Sequence, residues 1–196
     1  MANQIQKDPV LKLSLIHGLL LGIVSVVLSI IFSMIDPVII FTNFWIGILI
    51  LIIVIVLMVV LGLDVRKKIG GFWSFGEAFK SLIIMAVVLV VMSTLYNFIL
   101  FKFVDPGLPA KANSALLDKI TTSLNNSGVD QSRIDEYTKQ FQDGEFEAKL
   151  KPTLVNELKA LGGGIILYAI IGLIIAASIK KKAPLSLSMD EESPAP

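Results

Sequence analysis

The chain has 196 residues, 55% of them hydrophobic, with a mean hydropathy of +0.80 and a formal charge of +1. That apolar content exceeds what a soluble domain of this length carries, and the near-neutral balance gives no reason to expect a nucleic-acid partner. The absence of cysteine excludes disulfides, thiolate metal sites, a thiol nucleophile and a lipidated cysteine.

Residues 1–9 form a short polar tail. Residues 11–35 are almost entirely apolar, long enough to cross a hydrocarbon core of ~30 Å. The run leaves through Ser33-Met34-Ile35-Asp36-Pro37, with no small-x-small cleavage pattern, and so reads as a retained first span and not a signal peptide. Ser14, Gly18, Gly22, Ser25, Ser29 and Ser33 recur every three to four positions and define one helix face. Gly18-x-x-x-Gly22 within it permits close backbone approach, which makes the face a packing seam. His17, the sole histidine, has no evident carboxylate or metal partner, so it reads as an interhelical hydrogen-bonder.

Asp36-Pro37 ends the first span, because proline pushes its predecessor out of the α region. The second span covers residues 41–63, with Trp45 at its boundary and no polar side chain from position 46 to 61; a helix apolar all round lines nothing wet. Asp64, Arg66, Lys67 and Lys68 terminate it. The stretch at 70–80 organises the chain. In it, Ser74-x-x-Glu77 is a capping box that starts a helix at Phe75. Phe72, Trp73, Phe75 and Phe79 read as an aromatic belt at headgroup level. Lys80 and the basic triplet before the glycines face the same boundary and would be drawn to anionic headgroups.

The third span, 82–104, keeps its polar residues Ser93, Thr94 and Asn97 in its later half, where they can bond across helices. Lys102 should snorkel to the surface. Phe32-x-x-Ile35-Asp36-Pro37 and Phe101-x-x-Val104-Asp105-Pro106 match at two span ends.

Residues 105–160 hold the one sizeable polar segment. Ala112, Leu116, Ile120 and Leu124 keep the i, i+4 spacing of an amphipathic helix. Asp130 is placed to cap a second helix whose inner face is Ile134, Tyr137 and Phe141, stopped at Asp143-Gly144. Phe146, Leu150, Leu154 and Leu158 repeat the spacing, with Pro152 forcing a kink or a restart. Asp143, Glu145 and Glu147 do not have EF-hand spacing and read as a solvated face. Gly162-Gly163-Gly164 opens the last span, which with its basic stop covers 161–182. Ala169, Gly172 and Ala176 give it a small-residue face suited to the stripe on the first helix. Residues 183–196 have the composition of a disordered tail.

The pattern predicts an all-α integral membrane protein: four transmembrane helices with an extracytoplasmic helical insertion between the third and fourth. The connection at Asp36 carries no Lys or Arg, whereas the one at 64–80 carries Arg66, Lys67, Lys68 and Lys80. The positive-inside rule then puts both termini in the cytoplasm of a cell with this chain in its inner membrane.

Gly71-Phe72-Trp73-Ser74-Phe75-Gly76-Glu77-Ala78-Phe79-Lys80 resembles the signature of the bacterial DUF4199 family. Tyr96 with Phe103-Val104-Asp105-Pro106, the charged helical segment and the Lys-rich exit are similar as well, and Trp73 stands where an aliphatic residue is common. The resemblance implies four spans and brings no activity, cofactor or catalytic residues with it. The residues themselves show no catalytic constellation and no cofactor site. The function expected is a non-enzymatic scaffold, assembly or regulatory component acting through residues 105–160; the alternative is a small oligomeric channel or transporter. Expected partners are the anionic bilayer surface and a membrane protein or a second copy of the chain.

Overall fold

The computed structural model describes residues 9–181; residues 1–8 of the polar tail, Lys182 and the segment 183–196 lie outside the described residues. Among the described residues eight α-helices follow one another: α1 (Pro9–Ile35), α2 (Ile39–Thr42), α3 (Phe44–Lys68), α4 (Phe75–Ile99), α5 (Leu108–Asn126), α6 (Gln131–Gln142), α7 (Glu145–Leu150) and α8 (Leu154–Ile179). A π-helical turn, Leu100–Val104, continues α4. Among the described residues, four helices are long and apolar enough to cross a membrane: α1, α3, α4 with its π turn, and α8.

Local chemistry sets the boundaries. Asp36 Oδ1 accepts from the Val38 amide at 3.0 Å, and Asp105 Oδ1 accepts from the Gly107 amide at 3.1 Å. The two Asp-Pro motifs therefore make the same Asx-type turn. The second span expected at 41–63 is divided: α2 ends at Thr42, and Asn43 Oδ1 accepts from the Trp45 amide at 3.2 Å as α3 begins. α3 also runs past Leu63 to Lys68, since Arg66, Lys67 and Lys68 in its last turn offset the negative end of the helix dipole.

The last helix begins earlier than the glycine triplet suggested. Pro152 ends α7, and Thr153 Oγ1 accepts from the Asn156 amide at 3.2 Å, starting α8 at Leu154. Gly162-Gly163-Gly164 thus lies inside a helix and opens nothing. Leu154 and Leu158 belong to α8, where both are exposed.

The described residues divide into two compact units. One takes residues 9–22, 54–90 and 164–181; the other takes 23–53 and 91–163.

In the first unit the core is centred on α4, whose Ala78, Leu82, Met85, Ala86 and Leu89 are all buried. A Cβ on Gly18 of α1 would stand 2.8 Å from Val88 Cβ and 3.1 Å from the Met85 carbonyl oxygen, so the two backbones touch. On α8, a Cβ on Gly164 would stand 2.8 Å from Val90 Cγ1, and one on Gly172 would meet Leu82 and Phe79 at 3.7–3.8 Å. Gly18 of the first span and Gly164 and Gly172 of the last therefore pack on α4, each in its own contact. Gly22 and Ala176 are buried in the same unit. Ser25 and Ser29 fall in the other unit; both are half-buried, and the Ser29 hydroxyl donates to the Ser25 carbonyl at 3.0 Å.

In the second unit α5, α6 and α7 pack on one another and α5 also packs on α2. Leu108, Ala112, Ile134 and Phe141 are buried, the Phe141 and Phe146 rings sit 5.1 Å apart, and Asn113 Nδ2 donates to the Phe141 carbonyl at 3.0 Å. Tyr137, expected on the inner face, is 60% exposed. Thr138 takes that place. It completes the i, i+4, i+7 face with Ile134 and Phe141, and its hydroxyl is satisfied by donation to the Ile134 carbonyl at 2.7 Å. Asp130 occupies the N-cap position of α6 with non-helical backbone, yet its side chain makes no capping bond.

Candidate functional site

The stretch at 70–80 closes one end of the first unit. Gly70 and Gly71 have φ of +113° and +84°, a region that side-chain-bearing residues rarely enter. The turn they make reverses the chain after α3, with the Gly71 amide on the Arg66 carbonyl at 2.8 Å. Trp73 then pairs with Lys181 through two backbone hydrogen bonds of 2.9 and 3.1 Å. Its indole Nε1–H donates to the Ile179 carbonyl at 3.0 Å, and Arg66 Nη1 donates to the same oxygen at 2.8 Å. Ile179 ends α8, so this is one of the carbonyls that a helix terminus leaves without an internal partner.

Trp73 is therefore 2% exposed, a buried clamp on α8 and not a ring of an interfacial belt. Its neighbours differ. Phe75 is exposed and its ring lies parallel to that of Phe79 at 6.3 Å. The half-buried Phe72 carries the Lys181 ammonium over its ring at 5.3 Å. The Glu77 carboxylate accepts from the Ser74 amide at 2.7 Å and from its hydroxyl at 2.9 Å, while the Ser74 oxygen accepts from the Glu77 amide at 3.3 Å. These are the reciprocal bonds of a capping box at the start of α4. Lys80 is exposed one turn further on.

A polar cluster lies in the same unit. The Ser14 and Ser81 hydroxyls share a buried hydrogen bond of 2.7 Å, and Ser14 also donates to the Val10 carbonyl at 2.6 Å. His17, 5% exposed, places Nε2 3.0 Å from Asp64 Oδ2, and Lys68 Nζ reaches the same oxygen at 2.7 Å. Sequence reasoning gave His17 no partner because the second span was expected to stop before Asp64. Helix α3 continues through that position, so Asp64 is held against α1. The signal available was the i, i+4 pair Asp64 and Lys68, together with Ser14, His17 and Gly18 sharing one face of α1.

Chemically, an ionised Asp64 fixes the imidazole with its proton on Nε2 and leaves Nδ1 as the acceptor. Nδ1 is buried with no hydrogen-bond partner among the described residues. The bonds of Ser14 run to Val10 and Ser81, so Ser14 does not extend the Asp–His couple. Among the described residues there is no group of three His, Cys, Asp or Glu side chains able to hold a metal ion. What this arrangement does is tie α1 to α3 and α4.

Two cavities lie in the second unit. A groove of about 560 Å³ runs between α5 and the α2–α3 junction, with Phe41, Ile48, Leu51, Leu116 and Ile120 on its walls and Lys119 at its rim. Lys119 Nζ donates to the Thr42 carbonyl. A more enclosed cavity of about 210 Å³ is lined in part by Ser29, Ser33, Tyr96 and Asn97 beside the π turn.

Four apolar helices of spanning length mark the chain as a helical multi-pass membrane protein. The chain belongs to the DUF4199 family, described as a protein of unknown function, whose family model matches residues 16–181. No curated protein and no solved structure matches the chain.

Proposed function

We propose that the protein is a non-enzymatic component of the cell membrane, with both termini in the cytoplasm, that acts by binding through the α5–α7 segment on the outer face. The observation that carries this reading is the build of that segment. Its three helices bury Ile134, Thr138 and Phe141 on one another, so the surface they present is pre-formed. Tyr137 remains 60% exposed upon it, and the open groove runs along α5. Partner-binding surfaces favour exposed aromatic residues of this kind. The spans, in contrast, carry their charged side chains only toward their ends, whereas ion and proton paths need such groups at depth.

The test replaces residues 113–150 with a Gly/Ser linker, checks insertion and accumulation, and asks for complementation of a deletion strain. Loss of complementation with normal accumulation is the expected result. Full complementation would move attention to the spans. There the second reading, a small oligomeric channel or transporter, draws its support from the cavity lined by Ser29, Ser33, Tyr96 and Asn97. Its own test is Asn97→Ala, which would then abolish complementation while the linker variant keeps it.

A further inference from the structure

We infer that the groove between α5 and the α2–α3 junction is a binding site for one anionic phospholipid, its phosphate on Lys119 and an acyl chain along α3. The inference rests on the spans lying in a bilayer and requires no protein partner for α5–α7.

Depth comes first. Phe44 and Trp45, the first residues of α3, are each 74% exposed, which suits rings lying at headgroup level. Lys119 Nζ bonds the carbonyl of Thr42, two residues before α3 begins, so the ammonium is fixed at the same level. The groove lining continues from there along α3 to Ile48 and Leu51; at ~1.5 Å per residue, Leu51 lies ~10 Å from Phe44 along the helix. The polar end thus faces the headgroups and the apolar end faces the chains, which is the polarity of a lipid.

Charge and room agree with that occupant. Lys119 spends one of its N–H donors on Thr42 and has no carboxylate partner among the described residues. The remaining donors, with the Ser123 hydroxyl on the same rim, match the oxygens of a phosphate. Asp118 lines a shallow depression together with Lys119 and Ser123, yet no ion pair joins it to Lys119 among the described residues. The volume of about 560 Å³ falls within the range of ligand sites, ~300–1,000 Å³. Gly47 lines the groove, and a Cβ there would meet nothing within 4 Å. The space next to this helix is therefore open, and a side chain can be put into it without strain.

Selectivity should come from the headgroup, since an acyl chain leaves one apolar medium for another. A single basic side chain near an anionic surface is worth about 1 kcal/mol, or about fivefold in occupancy.

The experiment uses full-length protein in phosphatidylcholine vesicles that contain a trace of photoactivatable phosphatidylglycerol, phosphatidylcholine or free fatty acid, each with a diazirine on the acyl chain. Crosslinked peptides are read by mass spectrometry. For the native chain we expect labelling at the peptides bearing Ile48 and Ile120, with phosphatidylglycerol about fivefold over phosphatidylcholine. Lys119→Gln should bring that ratio close to one. Gly47→Leu should remove groove labelling yet leave labelling along Val56 and Val60, while Gly47→Ala keeps both. Equal groove labelling by the two phospholipids in the native chain would overturn the inference, as would labelling by the fatty acid in preference to phosphatidylglycerol. An undiminished groove signal in Gly47→Leu, or no groove signal from any probe, would overturn it as well, the last leaving the groove to a protein segment.

Discussion

At position 73 one side chain supplies both bulk and a donor. The Trp73 indole is buried and its N–H is one of two donors on the Ile179 carbonyl, the other being Arg66. Trp73→Phe should therefore lower stability by about 1–2 kcal/mol, one hydrogen bond plus some lost packing, whereas Phe75→Leu on the exposed ring should stay within ~0.5 kcal/mol. Combined with Arg66→Gln, Trp73→Phe should cost more than the two single changes added together, because only the double variant leaves the carbonyl with neither donor. Thermal unfolding in detergent reads all four proteins. Gly70→Ala and Gly71→Ala should each destabilise by about 1 kcal/mol or more, although nothing stands within 4 Å of either new Cβ, since the penalty is backbone strain at positive φ. A pH effect belongs to Asp105. The Lys111 ammonium bonded to it at 2.7 Å holds its carboxyl below the usual carboxylate range. A depressed carboxyl stabilises the fold above its unfolded value and loses that contribution as pH falls through the folded one. Lys111→Gln should thus melt lower than the native chain at pH 6, and the difference should shrink progressively below pH ~4.

Element by element, the features set by neighbouring residues were legible and those set by distant ones were not. The Ser74–Glu77 cap, the Asp-Pro turns and the Gly144 stop depend on residues within a few positions of one another, and each is made where the sequence placed it. The partner of the Gly18 face, the carboxylate of His17 and the role of Trp73 depend on residues 47 to 106 positions away, which no spacing rule reaches. Helix α8 shows both sides of this. The sequence places its glycine triplet at the opening of the last span, but the cap at Thr153 starts the helix earlier and the apolar run beyond carries it through the triplet. The three glycines then differ by contact alone. Gly162 and Gly163 face open space, and a Cβ on Gly164 would meet Val90 Cγ1 at 2.8 Å. Gly162→Ala and Gly163→Ala should each stabilise by ~0.5–1 kcal/mol through helix propensity. Gly164→Ala should destabilise by ~1–3 kcal/mol through overpacking against a stiff β-branched side chain. Val90→Ala placed on top of Gly164→Ala should recover part of that loss, which the same melting experiment would show as a favourable coupling.

For the whole molecule, the prediction with the widest consequence is which side of the membrane carries α5–α7, because both binding proposals depend on where that segment meets headgroups and partners. Four spans return the chain to the side on which it started, so a single asymmetry fixes the orientation. Position 36–43 supplies a connection with no Lys or Arg, while the turn after α3 and the start of α4 supply Arg66, Lys67, Lys68 and Lys80. The segment between the third and fourth spans has lysines near its ends, which on a simple count would pull the other way. Two of them form ion pairs, Lys111 with Asp105 and Lys151 with Glu147, at 2.7 and 3.0 Å, although acidic neighbours weigh little in the rule. From the contrast between the two short connections we expect the basic turn to lie in the cytoplasm. Because the chain has no cysteine, single cysteines report without interference. Ser114→Cys on α5 and Lys67→Cys at the end of α3 both replace exposed residues. In intact cells an impermeant thiol reagent should label position 114, and it should reach position 67 only after permeabilisation. Labelling of 67 alone would invert the orientation. Labelling of both in intact cells would contradict the parity of four spans, since residues 67 and 114 are separated by the single crossing of α4 and its π turn.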